Sequence, residues 1–178
     1  MTDRDGLTVT TRGEREIVLR REFDAPRGLV FEAWTTPELL MRWYGARGWN
    51  LVECEVDLRV GGRWRYVSRG PGGERMGQSG VYLEVVPPAR LVLTEVFDDQ
   101  SYPGESLITH AFVEEHGWTT VTSTVRCPSR EARDIVLRYP MARGVAEGYR
   151  RLAGVLAEMQ WSRREPGDQV TPTRREGS

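Results

Sequence analysis

The sequence predicts an α+β domain in which an antiparallel sheet of about seven strands packs against one long C-terminal helix. Two observations carry that expectation. Over residues 49–126 apolar side chains recur mostly at every second position, interrupted by Gly- and Pro-rich turns, which is the signature of a strand meander. Over residues 141–159 the period becomes helical. Met141, Val145, Gly148, Tyr149, Leu152, Val155, Leu156 and Met159 form one apolar stripe. A twisted antiparallel sheet must cover one face, and this helix is the only element large enough to do so.

In chain order, residues 1–13 are polar and patternless and are expected to be flexible, with the domain running from 14 to 162. Residues 15–23 alternate as a strand, with Ile17, Leu19 and Arg21 on one face. Asp24-Ala25-Pro26 ends it, and Pro26 suits the first turn of a helix whose apolar face is Val30, Phe31 and Trp34. Thr36-Pro37-Glu38 repeats the start signal for a second short helix carrying Leu39, Leu40, Trp43 and Tyr44, ended by Gly45. Strands follow at 49–58, 63–68, 76–86, 90–97, 107–114 and 118–126. Trp64, Tyr66 and Ser68 share a face of the second of these. Ser129 is the N-cap of the first C-terminal helical piece, and Pro140 breaks that piece from the long helix. Residues 163–178, rich in Arg, Glu, Gly, Pro and Thr, are expected to be a disordered tail.

Composition narrows the chemistry. With 178 residues, 39% apolar and 29% charged, the chain reads as one globular domain. All 25 basic residues are Arg. The absence of Lys excludes a Walker A phosphate loop and every Schiff-base or pyridoxal-phosphate mechanism, because each needs a lysine amine. A net charge of −1 gives no field for nucleic acid. No apolar run is long enough for a membrane span, and the polar N-terminus shows no export signal, so a cytoplasmic location is expected. Cys54 and Cys127 are expected to be reduced, and with His110 and His116 they offer no local metal-ligand spacing; neither metal nor cofactor is expected. Gly77-Gln78-Ser79-Gly80 imitates a nucleophile elbow without its second Gly in place, and reads as turn or strand.

The stretch Phe23-Asp24-Ala25-Pro26-Arg27 with Val30-Phe31-Glu32-Ala33-Trp34, then Thr36-Pro37-Glu38 and Arg42-Trp43-Tyr44-Gly45, resembles the opening of heat-shock-protein-90 ATPase activator homologues of the AHSA type. The likeness continues through Gly61-Gly62-Arg63-Trp64-Arg65-Tyr66, through Gly80-Val81-Tyr82-Leu83-Glu84-Val85-Val86-Pro87-Pro88, and through Pro128-Ser129-Arg130-Glu131-Ala132-Arg133-Asp134. The resemblance implies the helix-grip fold of the SRPBCC/START superfamily: a curved sheet around the long C-terminal helix, with a cavity between them. It also implies a bacterial protein in a stress-response context. Superfamily members bind lipids, sterols or polyketides in that cavity, and some cyclise or hydrate them.

On that fold the candidate cavity wall is Trp34, Trp43, Tyr44, Trp64, Tyr66, His110, Phe112, Val145, Gly148, Tyr149 and Leu152. Plain core packing is the competing use of each aromatic. The expected function is binding of an apolar or amphipathic small molecule. A cyclase or hydratase using His110 with Glu84, Glu95 or a Tyr hydroxyl is the alternative, and a co-chaperone-like protein-binding module is a third. A homodimer is left open.

Overall fold

The structure, a computed structural model, describes residues 6–164. Eight strands form one curved antiparallel sheet in the order β1-β2-β8-β7-β6-β5-β4-β3. They are β1 (Thr8–Arg12), β2 (Glu16–Phe23), β3 (Asn50–Val56), β4 (Arg63–Arg69), β5 (Arg75–Val86), β6 (Arg90–Phe97), β7 (Ser106–Glu115) and β8 (Trp118–Arg126). Helices α1 (Arg27–Thr35) and α2 (Pro37–Trp43) follow β2, and α3 (Arg130–Arg138) and α4 (Met141–Ser162) close the chain. All six strands expected between residues 49 and 126 are present. So are the two short helices, the Ser129 cap, which accepts a hydrogen bond from the Ala132 N–H at 3.0 Å, and the break at Pro140.

One strand more is present than the sequence predicts. Thr8–Arg12 pairs with β2 as an edge strand, and Leu7 just before it is buried in the core. The segment expected to be flexible is therefore ordered from Leu7 onward. Its side chains are mostly Thr, so the alternation that reveals a half-buried strand is too faint to see; the backbone ladder to β2 holds it instead. Of the tail expected over residues 163–178, Arg163 and Arg164 are described, Arg163 pairing with Glu32 at 2.8 Å, and the rest lies outside the described residues.

The register sets which side chains face the helices. Leu19, Ser123, His110 and Leu91 line up across β2, β8, β7 and β6, and Ile17, Val125, Ile108 and Leu93 form the neighbouring row. These rows belong to the face covered by α1, α2 and α4, where Ile17, Leu91 and Phe112 are almost fully buried. From α4 the buried residues are Ala146, Gly148, Tyr149, Leu152, Val155, Leu156 and Met159, most of the predicted stripe. Met141 and Val145, near its N-terminal end, stay half-buried. At roughly 1.5–3 kcal/mol for each fully buried large apolar side chain, this stripe is a main source of the fold's stability.

Two glycines are set by close approach. A Cβ at Gly80 would fall 1.8 Å from the Thr94 carbonyl oxygen and 2.8 Å from the Trp64 indole nitrogen. The missing side chain lets Trp64 lie across β5 and donate its indole N–H to the Thr94 carbonyl at 3.1 Å. A Cβ at Gly148 would stand 3.2 Å from both the Trp43 and Gly45 carbonyl oxygens, so this glycine brings α4 down onto the end of α2.

Candidate functional site

The inward face divides into two unlike halves. At the α1–β7–β8 end, Trp34 is the hub of a ring-on-ring block. Its centroid lies 4.8 Å from Trp43, 5.3 Å from His110, 5.5 Å from Tyr149 and 5.6 Å from Phe112. Phe31 adds an edge contact to Phe112 at 5.5 Å, and Phe23 one to Tyr149 at 5.6 Å. The Trp43 indole N–H donates to the Ala33 carbonyl at 2.9 Å, so this aromatic is buried without an unmet donor. Of the proposed cavity wall, Trp34, Trp43, Phe112, Tyr149 and the fully buried Leu152 thus pack into one another or into the core around them.

His110 sits at the rim of this block. Its Nδ1 is 2.7 Å from the Ser123 hydroxyl on the paired strand, and Ser123 also supports the Tyr149 hydroxyl. Burial pushes the imidazole down to about 4, so the ring is neutral at pH 7. That is the wrong direction for a general base working near neutrality. Glu84, one of its proposed acid–base partners, points outward and pairs with Arg90 at 3.2 Å. The sequence cannot foresee this, because a bulge in the β5–β6 ladder between Tyr82 and Glu84 shifts the strand's alternation.

The other half, under β4, β5 and β6, is polar within an aromatic wall. Tyr44, at the C-terminus of α2, stacks edge-on to Tyr66 at 5.1 Å, and Tyr66 in turn meets Trp64 at 4.8 Å. The Gln78 side-chain N–H donates to the Tyr44 hydroxyl at 2.5 Å, and the Tyr66 and Tyr82 hydroxyls bond to each other. Burial raises all three tyrosines far above their ordinary range. Glu95 completes this half. It follows Leu91 and Leu93 on the same face of β6 and pairs with the buried Ser106 on β7. Burial pushes its carboxyl up to about 7. Its charge acts on Tyr44, Tyr102 and Cys127, which places it among them.

The structure does not bring together all the residues that the sequence nominates. Gly148 turns toward the backbone of α2's last turn rather than toward the sheet, and Arg151, one turn on, donates to the carbonyls of Trp43 and Gly45 there. These two residues dock α4. Conversely, Gln78, Tyr82, Tyr102, Ser106 and Ser123 belong to the inward polar set and were not nominated. Glu95, expected only as an acid–base partner of His110, carried a further signal: an acidic residue in phase with Leu91 and Leu93 occupies a position that an amphipathic strand reserves for apolar side chains.

Two depressions open on the surface. One, of about 310 Å³, is lined by Arg15, Leu83, Thr94, Leu107, Arg126 and Pro128 among others. The second, of about 370 Å³, lies between the end of β2 and the last turns of α4, against Phe23, Leu156 and Trp161. Neither is lined by Tyr44, Glu95 or His110. Among the described residues no group of three or more His, Cys, Asp or Glu could hold a metal ion, and no helix is long and apolar enough to cross a membrane.

Residues 24–157, three quarters of the chain, match the family described as Activator of Hsp90 ATPase homolog 1-like protein. The chain belongs to this family. A Rhodobacter sphaeroides protein of known structure is 34% identical over 85% of this chain and 98% of its own, with a TM-score of 0.81. A Nitrosomonas europaea protein is 25% identical over 85% of this chain and 99% of its own, with a TM-score of 0.76. The AHSA1 protein from Silicibacter pomeroyi is 25% identical over 81% of this chain and 99% of its own, at a TM-score of 0.67. No curated protein matches the chain. The AHSA-type resemblance and the helix-grip fold are thus established, and the α4-against-sheet arrangement is that of the family.

Proposed function

We propose that this family member binds one apolar or amphipathic small molecule between the sheet and α4, at the half of the inward face that holds Tyr44, Trp64, Tyr66 and Glu95. One observation carries the reading. Tyr44, Glu95 and His110 lie deep enough for burial to dominate their titration, yet each keeps some accessible surface. Residual surface at this depth supports an opening between the sheet and α4 that a ligand enters. An apolar wall with a few fixed polar groups is the usual make-up of a ligand site. In this reading His110 and the Trp34 block form the floor of the site. The free thiols of Cys54 and Cys127 suit a reducing compartment, and a cytoplasmic location is part of the proposal.

The test is a titration of the full chain with the neutral probe N-phenyl-1-naphthylamine, read as probe emission excited through the protein's tryptophans. Saturable one-to-one binding is expected, with Trp64 close enough to sensitise the probe. An unsaturable, linear rise would refute the site. Catalysis is a second reading, favoured only by Glu95, whose proton is poised near neutrality. It requires turnover of a bound ligand that is lost in Glu95→Gln while binding persists.

A further inference from the structure

Resting on that reading, we propose that the ligand carries a cationic ammonium head, which Glu95 and the neighbouring Tyr44 ring receive while its apolar body lies against the inward face. The argument begins with the carboxyl. Glu95 is directed inward by its register with Ser106, and among the described residues it has no hydrogen-bond or ion-pair partner. Elsewhere on the protein carboxylates meet guanidinium groups, as Asp98 meets Arg65 at 2.6 Å and Glu32 meets Arg163 at 2.8 Å. The Glu95 charge acts instead on Tyr44, Tyr102 and Cys127, groups that are neutral at pH 7. The inward-facing guanidinium, Arg21, lies over the Phe23 ring at 5.0 Å on β2, beyond β7 and β8.

A desolvated carboxyl is costly to ionise unless a cation meets it. The walls specify what that is. Trp64, Tyr66 and Tyr44 form a contiguous run of rings, at 4.8 and 5.1 Å between centroids, on the same inward side. Tyr44, the end of that run, is the ring on which the Glu95 charge acts, and an aromatic ring beside a negative group attracts an organic cation through its quadrupole as well as through the charge. A fatty acid is excluded by the same arrangement, since its carboxylate would be desolvated beside Glu95 with no cation to meet it. An alcohol would gain one hydrogen bond and no charge pairing.

The experiment measures binding of decylamine, decanol and decanoate, each below its aggregation concentration, by displacement of N-phenyl-1-naphthylamine at pH 8, where Glu95 is ionised. Decylamine should bind about tenfold or more tightly than decanol, and decanoate more weakly than either. In Glu95→Gln the amine should fall to the affinity of the alcohol. Equal binding of amine and alcohol by the wild-type chain overturns the inference, whether or not the variant folds; so does an amine preference that survives Glu95→Gln. Binding of decanol and decanoate without an amine preference would leave the apolar site standing and remove only the ammonium head. If none of the three displaces the probe, and the probe itself does not saturate, both readings fall together.

Discussion

The two halves of the inward face are made from the same kinds of residue and differ in the polar groups among their rings. At the α1–β7–β8 end, Trp34, Trp43, Phe112 and Tyr149 fill the space between sheet and helices ring against ring. At the β4–β6 end the rings of Trp64, Tyr66 and Tyr44 stand in a row, and the polar groups of Gln78, Tyr82 and Glu95 lie among them. The first half is held by dispersion and apolar burial. The second is buried as deeply, with Trp64 and Tyr82 each 2% exposed, and carries desolvated polar groups among its rings. An aromatic residue on a core-facing position therefore says little about function by itself. The polar group beside it decides.

Replacing the hub should separate the halves most sharply. Trp34→Ala removes a side chain touching four other rings, and the loss expected for such a truncation is about 3–5 kcal/mol, measured by urea unfolding. A loss below about 1 kcal/mol would show that the block is loosely packed and not the core.

Next in size is a pair of opposed pH dependences. Glu95 is raised by burial from 4.5 to about 7, so the folded protein keeps this proton when the unfolded chain has already lost it. Its contribution is full below about pH 4.5 and is lost as pH rises through 7. His110 is lowered by burial from 6.5 to about 4, so the unfolded chain takes up a proton that the folded protein refuses. Its contribution is full above pH 6.5 and is lost as pH falls toward 4. Each span amounts to about 3 kcal/mol at roughly 1.4 kcal/mol per pH unit. Between about pH 4.5 and 6.5 the two slopes cancel in the wild-type chain. The stability of Glu95→Gln relative to wild type should climb as pH rises from 4.5 to 7, leaving the variant the more stable protein at pH 8. That of His110→Gln should decline over pH 4 to 6.5. Parallel curves for the three proteins would mean that neither group is desolvated.

A smaller effect tests the docking of α4. Gly148→Leu must push a side chain against the Trp43 and Gly45 carbonyls, and should cost about 1–3 kcal/mol in unfolding free energy. Because position 148 faces α2, this change should leave the affinity for N-phenyl-1-naphthylamine nearly intact in the folded fraction; loss of binding at full stability would place Gly148 in the site instead. The smallest effect belongs to the surface. Arg163→Gln breaks the 2.8 Å pair with Glu32 between two exposed side chains, and a thermal melt should move by no more than about 0.5 kcal/mol equivalent. A larger shift would mean that this pair fastens the end of α4 to α1.

Much of the architecture was legible because it is local. Alternation in 63–69 and 90–97, the Thr36-Pro37 start, the Ser129 cap and the helical stripe of 141–159 depend on neighbours a few positions away. The edge strand Thr8–Arg12 was not legible, since its stabilisation comes from a ladder to β2 and its side chains barely alternate. The candidate site was legible in part. Aromatic positions could be read from periodicity, but whether a ring packs into a block or borders a polar group could not.

By itself the sequence determined the order of the elements from β2 onward, the inward face of most strands, the exclusion of lysine chemistry and the membership in the family, because composition, period and motif are properties of the chain. Only the tertiary structure decided what those faces meet. A bulge between Tyr82 and Glu84 sends Glu84 out to Arg90; the β6–β7 register sets Glu95 beside Ser106, among Tyr44 and Tyr102; and α4 descends far enough to turn Gly148 against α2. Each is an encounter between residues distant in sequence, and the energy of burying a charge or closing a gap is set by those partners rather than by the residue's own neighbours.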